Sequence, residues 1–179
     1  MNFAGFLLKK AGWKFVINIP PTPKCIICVA PHTSNWDFIL GELCIRSRKM
    51  KASFLMKEAW FFFPLGCLLR GIGGIAVSKS HSDVTQNVVD EINNRKEIAV
   101  AVTPEGTRSL NANWHHGFLY MAAEAKVPLV LAYIDYKQKV VCFGKIYQMT
   151  GDIDADMTAI KQYYKNFTGR YPEKFTTGL

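Results

Sequence analysis

His32 and Asp37 are separated by four residues in APHTSNWDF, residues 30–38. An imidazole beside a carboxylate is the minimum apparatus of general-base catalysis. The carboxylate accepts a hydrogen bond from one ring nitrogen, fixes the tautomer and leaves the other nitrogen to take a proton. The same residues have a plainer meaning. Ser34 and Asp37 stand at capping-box spacing, so Asp37 can serve a helix end and its dipole, with His32 a partly buried ring bonded to backbone. A second group lies in VTPEGTRS, residues 102–109. Backbone N–H groups at Gly106 and Thr107, with the guanidinium of Arg108, suit a phosphate or carboxylate. The alternative is a simple turn in which Glu105 pairs with Arg108. Lys79, at the end of GIAVSK, is a further cation near these groups or else a solvated lysine.

The surrounding sequence supplies elements able to position them. KCIICVA (24–30) is a continuous apolar run, the signature of a strand buried on both faces. NWDFILGELCIRSR (35–48) carries helical spacing and a basic end. KASFLM (51–56), GIAVSK (74–79), EIAVAVT (97–103) and VPLVLAYI (127–134) are strands, and KVVCFG (139–144) is an edge strand. EAWFFFPLGCLLRGI (58–72) is apolar nearly all round, with a kink at Pro64 and Gly66. SDVTQNVVDEINNR (82–95), HHGFLYMAAEA (115–125) and DMTAIKQYYKNF (156–167) are helices. Alternating strands and helices predict a single α/β domain with a mostly parallel central sheet flanked by helices. In such sheets chemistry gathers at the carboxyl ends of strands. His32 follows one such end and Glu105 another.

The chain has 179 residues, enough for one full core, and 49% are hydrophobic against 20% charged. A disordered chain and a bundle of membrane spans are both excluded. The net charge of +8 favours anionic partners: an acidic membrane surface, a phosphorylated small molecule or nucleic acid. No recognisable nucleic-acid module is present, and the basic residues are scattered among apolar runs. Five cysteines, three of them in apolar runs, suggest buried thiols in a reducing compartment. Cys25 and Cys28 have redox spacing, but residues three apart on a strand face opposite sides. The opening residues lack the form of a secretion signal. Residues 1–23 form an N-terminal amphipathic segment with Lys9, Lys10 and Lys14 among apolar residues, which either lies on a membrane or packs on the domain; 24–179 form the main domain.

HTSNWD (32–37), GGIAVSKS (73–80), TPEGTRS (103–109) and VPLVLAY (127–133) follow one another in the order and spacing of four blocks shared by glycerolipid acyltransferases. From about Gly12 to about Tyr136 the sequence resembles the 1-acylglycerol-3-phosphate O-acyltransferase family, in its short bacterial form. The resemblance implies a glycerolphosphate-acyltransferase-like fold. It also implies transfer of an acyl group from acyl-CoA or acyl-carrier protein to a lysophospholipid hydroxyl, giving phosphatidate from 1-acylglycerol-3-phosphate. The expected setting is the cytoplasmic face of the cell membrane, where the protein is peripheral and uses no metal or cofactor. By this resemblance His32 is the general base and Asp37 its orienting partner, while Lys79, Glu105, Gly106, Thr107 and Arg108 bind the acceptor. Lys79 stands where the family carries arginine; it keeps the charge and loses the two-pronged contact. Another acceptor, such as a lyso-aminolipid, therefore stays open, as does a nonenzymatic protein that binds anionic membranes. Residues 60–72 either line an acyl tunnel, dip into the bilayer or form a core helix. No G-x-S-x-G elbow is present, which argues against serine hydrolase chemistry.

Overall fold

The computed structural model describes residues 2–77 and 81–179. Their strands form one sheet in the order β1-β7-β6-β2-β5-β3-β4. The strands are β1 Lys14–Ile17, β2 Lys24–Ala30, β3 Ser53–Lys57, β4 Gly74–Val77, β5 Ile98–Val102, β6 Leu129–Asp135 and β7 Val140–Tyr147. All pairings are parallel except β6 with β7. That reversal needs only a short turn, closed by Asp135, whose Oδ1 accepts from the backbone N–H groups of Lys137 and Gln138. The fold class read from the sequence is the one observed.

The central strand β2 shows why a continuous apolar run means two buried faces. Ile26, Cys28 and Ala30 enter one core with Val88 and Ile92 of helix α4 (His81–Asn94), Leu119 of α5 (Gly117–Glu124) and Ile160 of α6 (Ile153–Tyr164). Cys25 and Ile27 enter the opposite core with Ile45 of α2 (Asn35–Ser47). The two cysteines thus point to opposite faces, as the strand period demands. Cys25, Cys28, Cys44 and Cys142 are buried; Cys67 is exposed. Helix α1 (Phe3–Lys10) joins α2 through the buried Ala4 and Leu8, and leaves Phe3 and Phe6 outside.

Two expectations are corrected. The strand at 140–147 is interior, because KFVI (14–17) forms β1 and pairs outside it. Residues 58–72 do not make one apolar helix. A single 3-10 turn, Glu58–Trp60, is followed by α3, Leu65–Gly71. Proline lacks the N–H that a helix interior needs, so the helix starts after Pro64, which occupies the cap position. Nor is the segment a core helix. Trp60, Phe62, Phe63 and Leu68 are exposed, Phe63 at 86%, and only Gly66 and Leu69 of α3 are buried. Among the described residues no helix is long and apolar enough to cross a membrane.

The arrangement that matters for chemistry is β5-β2-β6. These three neighbours run parallel, so their carboxyl ends share one edge. His32, Glu105 and Tyr136 leave those three ends. Behind them the buried Tyr164 hydroxyl lies 2.6 Å from the carbonyl of Cys28 and 3.0 Å from that of Ala132, tying β2 to β6.

Candidate active site

Helix α2 begins at Asn35, with Thr33 and Ser34 between it and His32, and fixes the acid. Ser34 is its N-cap and Asp37 the third residue, in a full capping box. Oδ2 of Asp37 accepts from the backbone N–H groups of Thr33 (2.8 Å) and Ser34 (2.9 Å). The same oxygen lies 3.2 Å from Nδ1 of His32. One carboxylate therefore has the geometry of both the capping role and the orienting role that the sequence left as alternatives. A proton on Nδ1 donates to Asp37, which leaves Nε2 with its lone pair. The His32 side chain keeps 20% of its surface while that of Asp37 keeps 3%. The ring can meet a substrate, whereas the acid is sealed behind it.

The other oxygen of Asp37 is held by a residue that motif reasoning missed. The Tyr136 hydroxyl donates to Oδ1 at 2.6 Å. Burial, and then the Asp37 carboxylate, push the Tyr136 hydroxyl well above the usual phenol range. Trp13 packs edge-on against the Tyr136 ring at 4.9 Å, so this tryptophan of the N-terminal segment braces the site. Tyr136 follows the end of β6 directly, and the rule that points to strand ends would have found it. Tyr136→Phe keeps the ring and removes the donor, leaving Oδ1 short of a partner. Its expected effect is an acyl-transfer kcat lowered about tenfold, with KM and melting temperature near parent values, measured by steady-state kinetics and calorimetry.

The loop after β5 supplies the frame. Glu105 is buried at 2% exposure, and its Oε1 accepts from the backbone N–H of His32 at 2.7 Å. Burial pushes its carboxyl up to about 8; the His32 N–H opposes that shift and the nearby Asp37 charge adds to it. Arg108 does not pair with Glu105. Its Nη1 donates to Oδ1 of Asn35, in the first turn of α2, so β5 is linked to β2's exit twice. The N–H of Gly106, one of the anion donors the sequence suggested, is engaged in a turn with the carbonyl of Thr103, 3.2 Å away. Gly106 itself is dictated by shape. Its φ is +64°, and a Cβ there would stand 2.4 Å from the His115 ring. The Thr107 hydroxyl accepts from the backbone N–H of Ser109. Lys79 lies outside the described residues.

The structure thus brings His32, Asp37 and Glu105 into direct contact and places Gly106, Thr107 and Arg108 on the adjoining loop. A base reachable from outside, a shielded acid that aims it and a neighbouring guanidinium suit proton removal from a hydroxyl on an anionic molecule.

A family model described as Acyltransferase matches residues 16–135. Lysophosphatidylcholine acyltransferase 1 from Rattus norvegicus and from Mus musculus are each 33% identical over 92 residues, which is 49% of this chain and 16% of the relative. The match therefore spans a small part of those longer proteins. The crystal structure of the 1-acyl-sn-glycerophosphate (LPA) acyltransferase PlsC from Thermotoga maritima superposes with a TM-score of 0.61 at 19% identity. That likeness covers 91% of this chain and 74% of the other, and is a likeness of fold. With two-thirds of its length inside the family model, this chain belongs to the acyltransferase family.

Proposed function

We propose that the protein moves a fatty acyl group from a thioester, acyl-CoA or acyl-carrier protein, to the free hydroxyl of a lysophospholipid, with 1-acylglycerol-3-phosphate the first acceptor to test. The observation that carries this reading is the His32 Nδ1–Asp37 Oδ2 contact of 3.2 Å, with the ring open to solvent and the acid closed off. In the proposed reaction Nε2 of His32 takes the acceptor's hydroxyl proton as the oxygen attacks the thioester carbonyl. The tetrahedral adduct collapses, the carbon–sulfur bond breaks, and the imidazolium returns the proton to the leaving sulfur. A thioester is already activated, so no covalent enzyme intermediate is required. One base contributes roughly 10²–10⁴-fold, and holding the two substrates in line contributes much of the remainder.

The surface supports work at a lipid boundary. Trp36, Phe38 and Ile39, in the first turns of α2 beside His32, are exposed, as are Trp60, Phe62 and Phe63. Lys9, Lys10, Lys14, Arg46, Arg48, Lys49 and Lys51 are exposed as well, and each adds about 1 kcal/mol near anionic lipid. These exposed groups support a peripheral position on the membrane, and on this reading the protein works at its cytoplasmic face.

The direct test supplies purified protein with vesicles carrying one lyso-lipid at a time and either acyl donor. Phosphatidate formed from lysophosphatidate is the expected product. Turnover confined to a lyso-aminolipid would move the acceptor assignment, in keeping with Lys79 in place of arginine. Vesicle binding without any transfer would leave only the membrane-binding alternative.

A further inference from the structure

The family match ends at residue 135, yet the chain returns to the site after that point. The backbone N–H of Tyr136 donates to the carbonyl of Thr168 at 2.9 Å, and that of Tyr171 to the Thr33 hydroxyl at 3.2 Å. Between them Gly169 is buried against Thr33 and Pro31, where a Cβ would come within 2.9 Å of the threonine side chain. These contacts pin residues 168–171 over the two residues that flank His32, and they fix the next side chain, Arg170, at the rim.

Arg170 is exposed, and its guanidinium stands over the Trp36 ring at 5.3 Å and the Tyr171 ring at 5.8 Å. Its charge and a side-chain hydrogen-bond interaction also act on the Tyr136 hydroxyl, partly offsetting the upward push of burial and of Asp37, and a guanidinium has further N–H donors beyond that one. So it lies close to the group that holds the acid. Among the described residues no carboxylate pairs with Arg170. Arg108 approaches the same helical turn from the β5 side through Asn35, the residue before Trp36. Two guanidinium groups therefore approach the first turn of α2, one at Asn35 and one at Trp36. Stacking on aromatic rings orients a guanidinium and leaves its N–H edge for a planar or tetrahedral oxyanion.

We propose that Arg170, supplied by the C-terminal segment, binds the phosphate of the acceptor at the mouth of the site, opposite Arg108. This rests on the acyl-transfer reading for the identity of the acceptor. It adds a specificity residue outside all four sequence blocks. The aromatic stack does more than anchor the segment: it presents a fork aimed at the headgroup while the acceptor's hydroxyl reaches His32.

The test measures equilibrium binding to the full chain, without donor, of a short-chain lysophosphatidate and of the uncharged monoacylglycerol with the same chain. Steady-state KM values for acceptor and donor complete it. Arg170→Gln is expected to weaken lysophosphatidate binding by about tenfold to a hundredfold and to leave monoacylglycerol binding unchanged. Arg170→Lys should recover part of the loss, since charge survives and the fork does not. Melting curves of both variants should match the parent. Equal losses for the charged and uncharged ligands, unchanged lysophosphatidate affinity, or an effect confined to the donor's KM would each overturn the proposal. Because binding is read without donor, its outcome is separate from whether acyl transfer occurs.

Discussion

Acyl transfer by the His32→Ala protein is expected to fall at least about 10²-fold, with the unfolding transition nearly unmoved. The ring stands at the carboxyl edge of β5-β2-β6 and combines a titratable nitrogen, a route to solvent and a carboxylate contact at 3.2 Å. On the proposed mechanism removing it takes away the proton acceptor and leaves the substrate-holding surfaces in place, so the loss should fall on kcat rather than KM. Folding should tolerate the change because Asp37 keeps the Thr33 and Ser34 N–H groups and the Tyr136 hydroxyl. A single-turnover experiment with saturating acceptor isolates the chemical step. Turnover close to the parent rate would remove His32 from the mechanism.

Glu105→Ala is expected to be nearly as damaging through a different cause. The change deletes the acceptor of the His32 backbone N–H and opens a gap where a buried side chain stood. An orphaned buried donor costs about 1–3 kcal/mol of stability. A base displaced by a fraction of an ångström to one ångström costs up to about 10² in rate. Glu105→Gln keeps an acceptor oxygen in the same place and should keep most of the activity. If both variants lost transfer equally, with acceptor KM raised, Glu105 would be binding substrate, as the resemblance implies, rather than holding His32.

The same pair of variants carries a pH signature. The Glu105 carboxyl titrates near 4.5 when unperturbed and is pushed up to about 8 by burial in the fold. Between those values the folded chain holds a proton that the unfolded chain has released, so stability falls as pH rises across the window. The contribution is fully present below the lower value and gone above the upper. Glutamine has no proton to lose. The melting temperature of Glu105→Gln should therefore gain on the parent from pH 5 to about pH 8 and level off above it, and a constant difference would show that Glu105 titrates normally.

Much of this architecture was legible in the sequence because short-range rules agreed with long-range ones. The apolar run at 24–30 had to be a doubly buried strand, and the opposed cysteines Cys25 and Cys28 follow from its period. The capping box was visible as Ser34 and Asp37, and so was the histidine beside it. Other features depend on contacts that no local pattern encodes. KFVI is too short to announce a strand, and its pairing with β7 is what moves the edge of the sheet outward. The apolar run at 58–72 left a core helix, a tunnel lining and a bilayer contact open, and it took the fold to show that the helix starts only after Pro64 and that Trp60, Phe62 and Phe63 stay outside. Glu105 and Arg108 sit at helix-pair spacing, yet their loop turns at Gly106 and sends one inward to His32 and the other across to Asn35. Tyr136 meets Asp37 across 99 residues of chain; the reach of Arg170 to Trp36 is likewise long-range.

One oxygen of Asp37 makes two kinds of contact, with the N–H groups that start a helix and with the ring proposed as the base. Secondary structure and reactivity are consequently a single cooperative event at this spot. Fraying of one helical turn releases the imidazole even while the sheet stands intact, so warming should silence turnover before the bulk of the molecule melts. Evolution of a hotter-running version would act first on that turn, not on the hydrophobic interior.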